Sequence, residues 1–234
     1  SGMNVHPNTG AVSNYVIDDV RKLTFEPGIF TSIETPKRLT SSLRTYPNPT
    51  NNQLNIDFTA ESDRDTPINL TNHSYFNLGE KDIRDLQFKL HGDRFLQRSN
   101  KGIPTGEYID SSATGFDLRQ WQTVSDFIDR NVYEQIITEQ GVDHCFVMTD
   151  AAIEAAKAEL VSQQNQIKLT VFSDQPAMQF YTGKFLAKHF KPYQGLCFES
   201  QGYTDAVNQA QFPSVILSKG KCYQHKIIYQ FSQL

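Results

Sequence analysis

Apolar and polar residues alternate with period two in several separated stretches. In Leu54-Asn55-Ile56-Asp57-Phe58 the apolar set falls on 54, 56 and 58; in Ile167-Lys168-Leu169-Thr170-Val171 it falls on 167, 169 and 171. Successive side chains of a strand point to opposite faces, so this spacing predicts half-buried strands. Ser214-Val215-Ile216-Leu217 and Ile227-Ile228-Tyr229-Gln230-Phe231 predict two more near the end of the chain. Turn signals interrupt these runs at Tyr46-Pro47-Asn48-Pro49, Lys101-Gly102-Ile103-Pro104-Thr105-Gly106 and Phe212-Pro213-Ser214. Many short strands with turns between them predict an all-β fold, an antiparallel sandwich or barrel rather than alternating βαβ units. One segment dissents: Ala151 to Leu160 (AAIEAAKAEL) is helical by propensity and predicts a short helix between strands. The stretch up to about Asn52 is rich in Ser, Thr, Pro and Asn and reads as the softest part.

Composition narrows the function classes. The 234 residues fit one large domain, or at most two small ones, and suffice for a sizeable core. With 22 Lys+Arg against 26 Asp+Glu, the net charge is −4, and no block of like charge stands out. That balance argues against nucleic acid and against a membrane surface as partners. No apolar run approaches the roughly 18–20 residues of a membrane helix, and nothing resembles a signal peptide. Ser1-Gly2-Met3 reads as a cleavage scar before a start methionine. Cys145, Cys197 and Cys222 are too few and too scattered for a disulfide framework or a structural zinc, so a cytoplasmic protein is expected. Sixteen Phe, ten Tyr and one Trp suit strand surfaces and the walls of a sugar site.

Four places could carry chemistry. His73 sits in the densest polar cluster, Thr66 to Leu78 (TPINLTNHSYFNL). It is either a proton donor oriented by its neighbours or a structural histidine satisfying loop backbone. Asp143 and His144 are adjacent, so on a strand they face opposite ways and only one can serve a pocket. Gln179, beside Phe180 and Tyr181, could bond a polyol while a ring packs on the sugar, or could belong to an ordinary aromatic strand. Glu199 follows the apolar run Gly195-Leu196-Cys197-Phe198 and is either a rim carboxylate or a buried one with a raised pKa, fit to act as a base. His91-Gly92-Asp93 reads as a turn. A Gly-x-Ser-x-Gly elbow, a phosphate loop and a dinucleotide glycine motif are all missing, which leaves acid–base work without a cofactor or metal.

Taken together, TPINLTNHSYFNL (66–78), IPTGEYI (103–109), GVDHCFVM (141–148), DQPAMQFYTGKFL (174–186) and GLCFESQGYTDAVNQAQFPSVIL (195–217) form one pattern. In their order and spacing, the chain from about Leu54 to Phe231 resembles the galactose mutarotase (aldose 1-epimerase) family. The resemblance implies a large antiparallel β-sandwich with one or two short helices. It implies interconversion of the α and β anomers of hexoses such as galactose and glucose, with no cofactor. His73 would be the general acid and Glu199 the general base. Asp143 and Gln179 would bind sugar hydroxyls, and Ser74 and Tyr75 would line the substrate site. A hexose is the expected small-molecule partner, and a monomer or homodimer the expected state.

The family also carries an N-terminal portion that brings an Asn-Arg pair and a further histidine, in an Asn-x-x-His-Gly-like stretch, to the same pocket. No such motif occurs here, and His6 in Asn4-Val5-His6-Pro7 does not match it. Residues Leu23 to Pro36 faintly resemble the family's opening strands, after which the chain moves almost directly to the strand at Leu54. Residues 1–53 are therefore expected to be a divergent or shortened N-terminal segment, and 54–234 the core. A second reading is a mutarotase-like sugar-binding or regulatory protein that does not turn over.

Overall fold

The computed structural model describes residues 15–16, 39–48, 52–113 and 117–234. Seven strands form one sheet in the order β10 (Gln122–Thr123), β7 (Gln87–Leu90), β12 (Ala156–Ser162), β13 (Ile167–Ser173), β17 (Cys222–Gln233), β3 (Gln53–Ser62) and β2 (Leu39–Asn48). Six form a second sheet in the order β6 (Tyr75–Phe76), β15 (Leu196–Gln201), β14 (Ala177–Tyr181), β11 (Asp143–Met148), β8 (Gly92–Arg98) and β9 (Pro104–Asp110). Neighbours in both sheets run antiparallel. Two short pairs stand apart: β1 (Tyr15–Val16) with β5 (Leu70–Thr71), parallel, and β4 (Thr66–Pro67) with β16 (Ile216–Leu217), antiparallel. Helices α1 (Val124–Asp129) and α2 (Glu134–Glu139) lie in the connection between β10 and β11.

The sandwich forms because each sheet has one apolar face. Along β3 the inward residues are Ile56, Phe58 and Ala60, and along β17 Ile227 and Tyr229. Ile56 lies opposite Ile227, which keeps like residues in one layer. From the other sheet Phe95, Phe146, Met178, Phe180, Leu196 and Phe198 enter the same cluster. Phe180 spans the two layers, stacked on Phe88 of the first sheet at 5.0 Å and on Phe198 of its own at 5.3 Å. Each ring buried this way contributes about 1.5–3 kcal/mol of transfer free energy.

Two expectations change. Ala151 to Leu160 is not a helix: it enters β12 at Ala156. Backbone pairing to β7 and β13 on either side overrides the helical propensity of Ala, Glu and Lys. The strand sends Ala158 and Leu160 into the core, while Lys157, also buried, donates to the carbonyls of Ala152 (2.7 Å) and Ala155 (2.9 Å). In addition, the stretch before Leu54 holds a ten-residue strand, β2, that runs through Tyr46-Pro47-Asn48. Among the described residues β2 is the outermost strand of its sheet, a position where proline is tolerated because one side of an edge strand has no ladder to donate to. Residues Leu23 to Pro36 lie outside the described residues.

His225 of β17 is buried, stacks on Phe58 at 4.8 Å, and leaves its Nε2 without a hydrogen-bond partner. Burial lowers its pKa from the usual 6.5 to about 4, against the opposing pull of Asp174. Between those values the unfolded chain binds a proton that the folded chain refuses, so stability falls as pH drops through that window. His144, equally buried, acts in the same direction. Glu199, whose pKa is raised, acts in the opposite direction, so the test is differential. On going from pH 7 to pH 5 the urea midpoint of His225→Phe should fall less, or rise more, than that of the parent, and an equal change in both would contradict this reading.

Candidate active site

The site is built by the pleat of the six-stranded sheet. Residues opposite one another across a ladder share a face. Tyr75 lies opposite Cys197, Cys197 opposite Tyr181, and Tyr181 opposite Asp143. One rung further on, Glu199 lies opposite Gln179, and Gln179 opposite Cys145. All of these point away from the core. The intervening residues His144, Phe146, Phe180 and Phe198 point into it, so Asp143 and His144 part as adjacent strand residues must. His144 instead holds Gln135 of α2, Nε2 to Oε1, at 2.9 Å.

Gly183 closes β14 with φ +67. A Cβ there would lie 2.0 Å from the Gly195 carbonyl oxygen, so only glycine lets the outgoing loop run beside the start of β15.

His73 reaches this face from the loop between β5 and β6. Asn72 Oδ1 pins that loop, accepting from the Ser74 backbone N–H at 3.2 Å and the Tyr229 hydroxyl at 3.0 Å. The imidazole Nε2 then stands 3.4 Å from Glu199 Oε1, and Nδ1 stands 3.3 Å from Cys197 Sγ. The Tyr75 ring lies 5.0 Å from the imidazole. Beside them Gln179 Nε2 donates to Asp143 Oδ1 at 2.6 Å, and Thr204 Oγ1 donates to Gln179 Oε1 at 3.4 Å. Arg98 approaches Asp143 Oδ2 at 3.8 Å while its other nitrogen bonds both Glu139 oxygens at 2.7 and 2.8 Å. Asn69 clamps the turn after β15, accepting from the Gly202 N–H at 2.7 Å and donating to its carbonyl at 3.2 Å.

Electrostatically the face is tuned by burial. Glu199 is only 4% exposed, and its pKa is pushed well above the usual carboxylate range, first by burial and then by Asp143. The Cys197 thiol is pushed well up, by burial first and by Glu199 next. Burial raises the Tyr181 hydroxyl to about 12. A carboxyl group with raised pKa beside an imidazole can exchange protons with a bound hydroxyl near neutral pH.

Among the described residues, one group of metal-ligand type is close-set: one donor atom each from His73, Cys197 and Glu199, all within 4.8 Å of one another. The sulfur addresses Nδ1 and the carboxylate addresses Nε2, so the two flank the ring rather than converging on one nitrogen.

Five of the six sequence candidates, His73, Tyr75, Asp143, Gln179 and Glu199, meet on this face; Ser74 lies in the loop that carries His73, where its backbone N–H donates to Asn72 Oδ1. Glu199 is buried rather than at the rim. Cys197 and Gln201 were legible as face-mates, since they lie two residues either side of Glu199 on one strand. Arg98 and Thr204 carried no comparable signal.

The aldose 1-epimerase family profile matches residues 48–230. Galactose mutarotase of Bos taurus is 35% identical over 191 residues, covering 77% of this chain and 54% of that protein. Aldose 1-epimerase of Escherichia coli K12 is 32% identical over 194 residues, covering 77% and 55%. The crystal structure of galactose 1-epimerase from Lactobacillus acidophilus superposes with a TM-score of 0.72 at 25% identity, over 83% of this chain and 57% of that one. The chain spans about half the length of the curated relatives it matches. On the family match across most of its length, the chain belongs to the aldose 1-epimerase family.

Proposed function

We propose that the chain interconverts the α and β anomers of a hexose such as galactose or glucose, with Glu199 as general base and His73 as general acid. The observation that carries this is the 3.4 Å approach of His73 Nε2 to Glu199 Oε1 on the face of the six-stranded sheet turned away from the core. The anomeric hydroxyl and the ring oxygen are bonded to the same carbon, so the groups that serve them must also be close neighbours. Glu199 takes the proton from the C1 hydroxyl while Nε2–H gives one to the ring oxygen. The C1–O5 bond breaks and an aldehyde forms. Rotation about C1–C2 presents the other carbonyl face, and the reverse transfers close the ring.

Asp143 and Gln179 supply a carboxylate and an amide for the sugar hydroxyls, and Tyr75 and Ser74 border the site. Removing one such hydrogen-bond partner should weaken binding by about 0.5–1.5 kcal/mol, or roughly 2–10-fold in KM. Gln179→Ala should show that rise with kcat much less changed; a kcat collapse would place Gln179 in the chemistry instead. Because burial raises the pKa of Glu199, the acid limb of kcat/KM should lie above the usual carboxylate value near 4.5. A limb at or below that value would contradict Glu199 as the base.

The reading is tested by exchange spectroscopy on equilibrated galactose, which follows the α and β anomeric protons directly. Exchange that grows in proportion to protein concentration supports turnover. Sugar binding with no added exchange would favour the binding or regulatory reading.

A further inference from the structure

We propose that Cys197 is a positioning residue: its sulfur accepts the Nδ1–H of His73 and so makes Nε2 the nitrogen that gives and takes the proton. This rests on the acid role proposed for His73.

A neutral imidazole carries one N–H. When Nε2 has given its proton to the ring oxygen, the remaining proton must sit on Nδ1, and that part-buried N–H is held best by a fixed acceptor. Cys197 Sγ stands 3.3 Å from Nδ1, a fitting separation for N–H···S, while Nε2 faces Glu199 Oε1 at 3.4 Å. The two contacts use opposite nitrogens, so the ring has a fixed inner end and a reactive outer end.

The strand sets this arrangement. Cys197 and Glu199 are two residues apart on β15 and therefore share a face, and Cys197 is fully buried opposite Tyr75. A residue on the next pleat would point into the core and miss the ring. Tyr75, opposite Cys197 on the neighbouring strand, sets its ring 5.0 Å from the imidazole and so borders the same contact.

The choice of sulfur suits an acid. A carboxylate accepting from Nδ1–H raises the basicity of the ring and its hold on the Nε2 proton. A neutral thiol is a weak acceptor, so it orients the ring while leaving the imidazolium more acidic. That is what donation to a weakly basic ether oxygen requires. Burial and Glu199 keep the thiol protonated, which makes it a poor nucleophile and leaves orientation as its contribution. In the transfer the Nε2–H bond breaks as the O5–H bond forms, while Nδ1–H and the thiol are unchanged.

The test is the ¹⁵N spectrum of the His73 ring, assigned by its disappearance in His73→Asn and recorded where the ring is neutral. The expected result is the Nδ1–H tautomer in the parent, against the Nε2–H form that free histidine side chains favour. Cys197→Ser, whose hydroxyl also accepts, should keep the Nδ1–H tautomer and stay within about threefold of parental kcat. Cys197→Ala should move the ring toward Nε2–H and lower kcat about tenfold with KM nearly constant. An Nε2–H tautomer in the parent, or an Ala variant with unchanged tautomer, overturns the proposal. The spectrum needs no turnover, so failure of the positioning inference is distinguishable from failure of the activity itself.

Discussion

Glu199→Gln should bring anomer exchange down to or near the buffer rate, and His73→Asn should do the same. A positioned proton-transfer group contributes about 10²–10⁴-fold, equivalent to roughly 3–5 kcal/mol of barrier. Gln has almost the volume of Glu and keeps a hydrogen-bonding oxygen toward His73, but it cannot take a proton. The companion measurement is thermal stability. Glu199 is buried with its pKa raised, so its charged form is disfavoured by the fold at neutral pH. Replacing it with a neutral amide removes that burden, and the variant should melt no lower than the parent. A lost rate with unchanged or higher Tm assigns the defect to chemistry. Retained exchange in Glu199→Gln would remove Glu199 as the base.

The second large effect is on the fold. Phe180→Ala should cost about 3–5 kcal/mol, a large share of the 5–15 kcal/mol that stabilises a typical domain. The ring is fully buried and stacks on Phe88 at 5.0 Å and Phe198 at 5.3 Å, so its loss opens a cavity between the two sheets. It also lies between Gln179 and Tyr181 on β14, whose side chains face the candidate site. Loosening this strand should therefore weaken sugar binding together with stability, whereas Glu199→Gln separates the two. Urea unfolding would check the figure, and a loss below about 1 kcal/mol would mean the sheets are not held together at this point.

Period two was readable wherever a strand has one wet and one dry face, as in β3, β13 and β17. It failed where tertiary pairing decides. AKAELVS in β12 carries helix-forming residues, and only the ladders on both sides make it a strand. Strand β2 was hidden because Thr40, Ser42 and Arg44 are exposed on an edge and Pro47 mimics a turn. At the site, adjacency alone separated Asp143 from His144, whereas the apolar run before Glu199 left burial and the rim both open. Arg98 is different. It comes from β8, far along the chain, and its bonds to Glu139 and its approach to Asp143 depend on where α2 packs against β8. No local pattern encodes that.

The central claim is that one sheet face holds a working acid and base. Polarimetry on freshly dissolved α-D-galactose or α-D-glucose tests it most directly, with spontaneous mutarotation as the blank. Optical rotation should reach the same end point faster in proportion to added protein, and Glu199→Gln should return the rate to the blank. A parental rate equal to buffer, with the protein folded and sugar binding detectable, would contradict it.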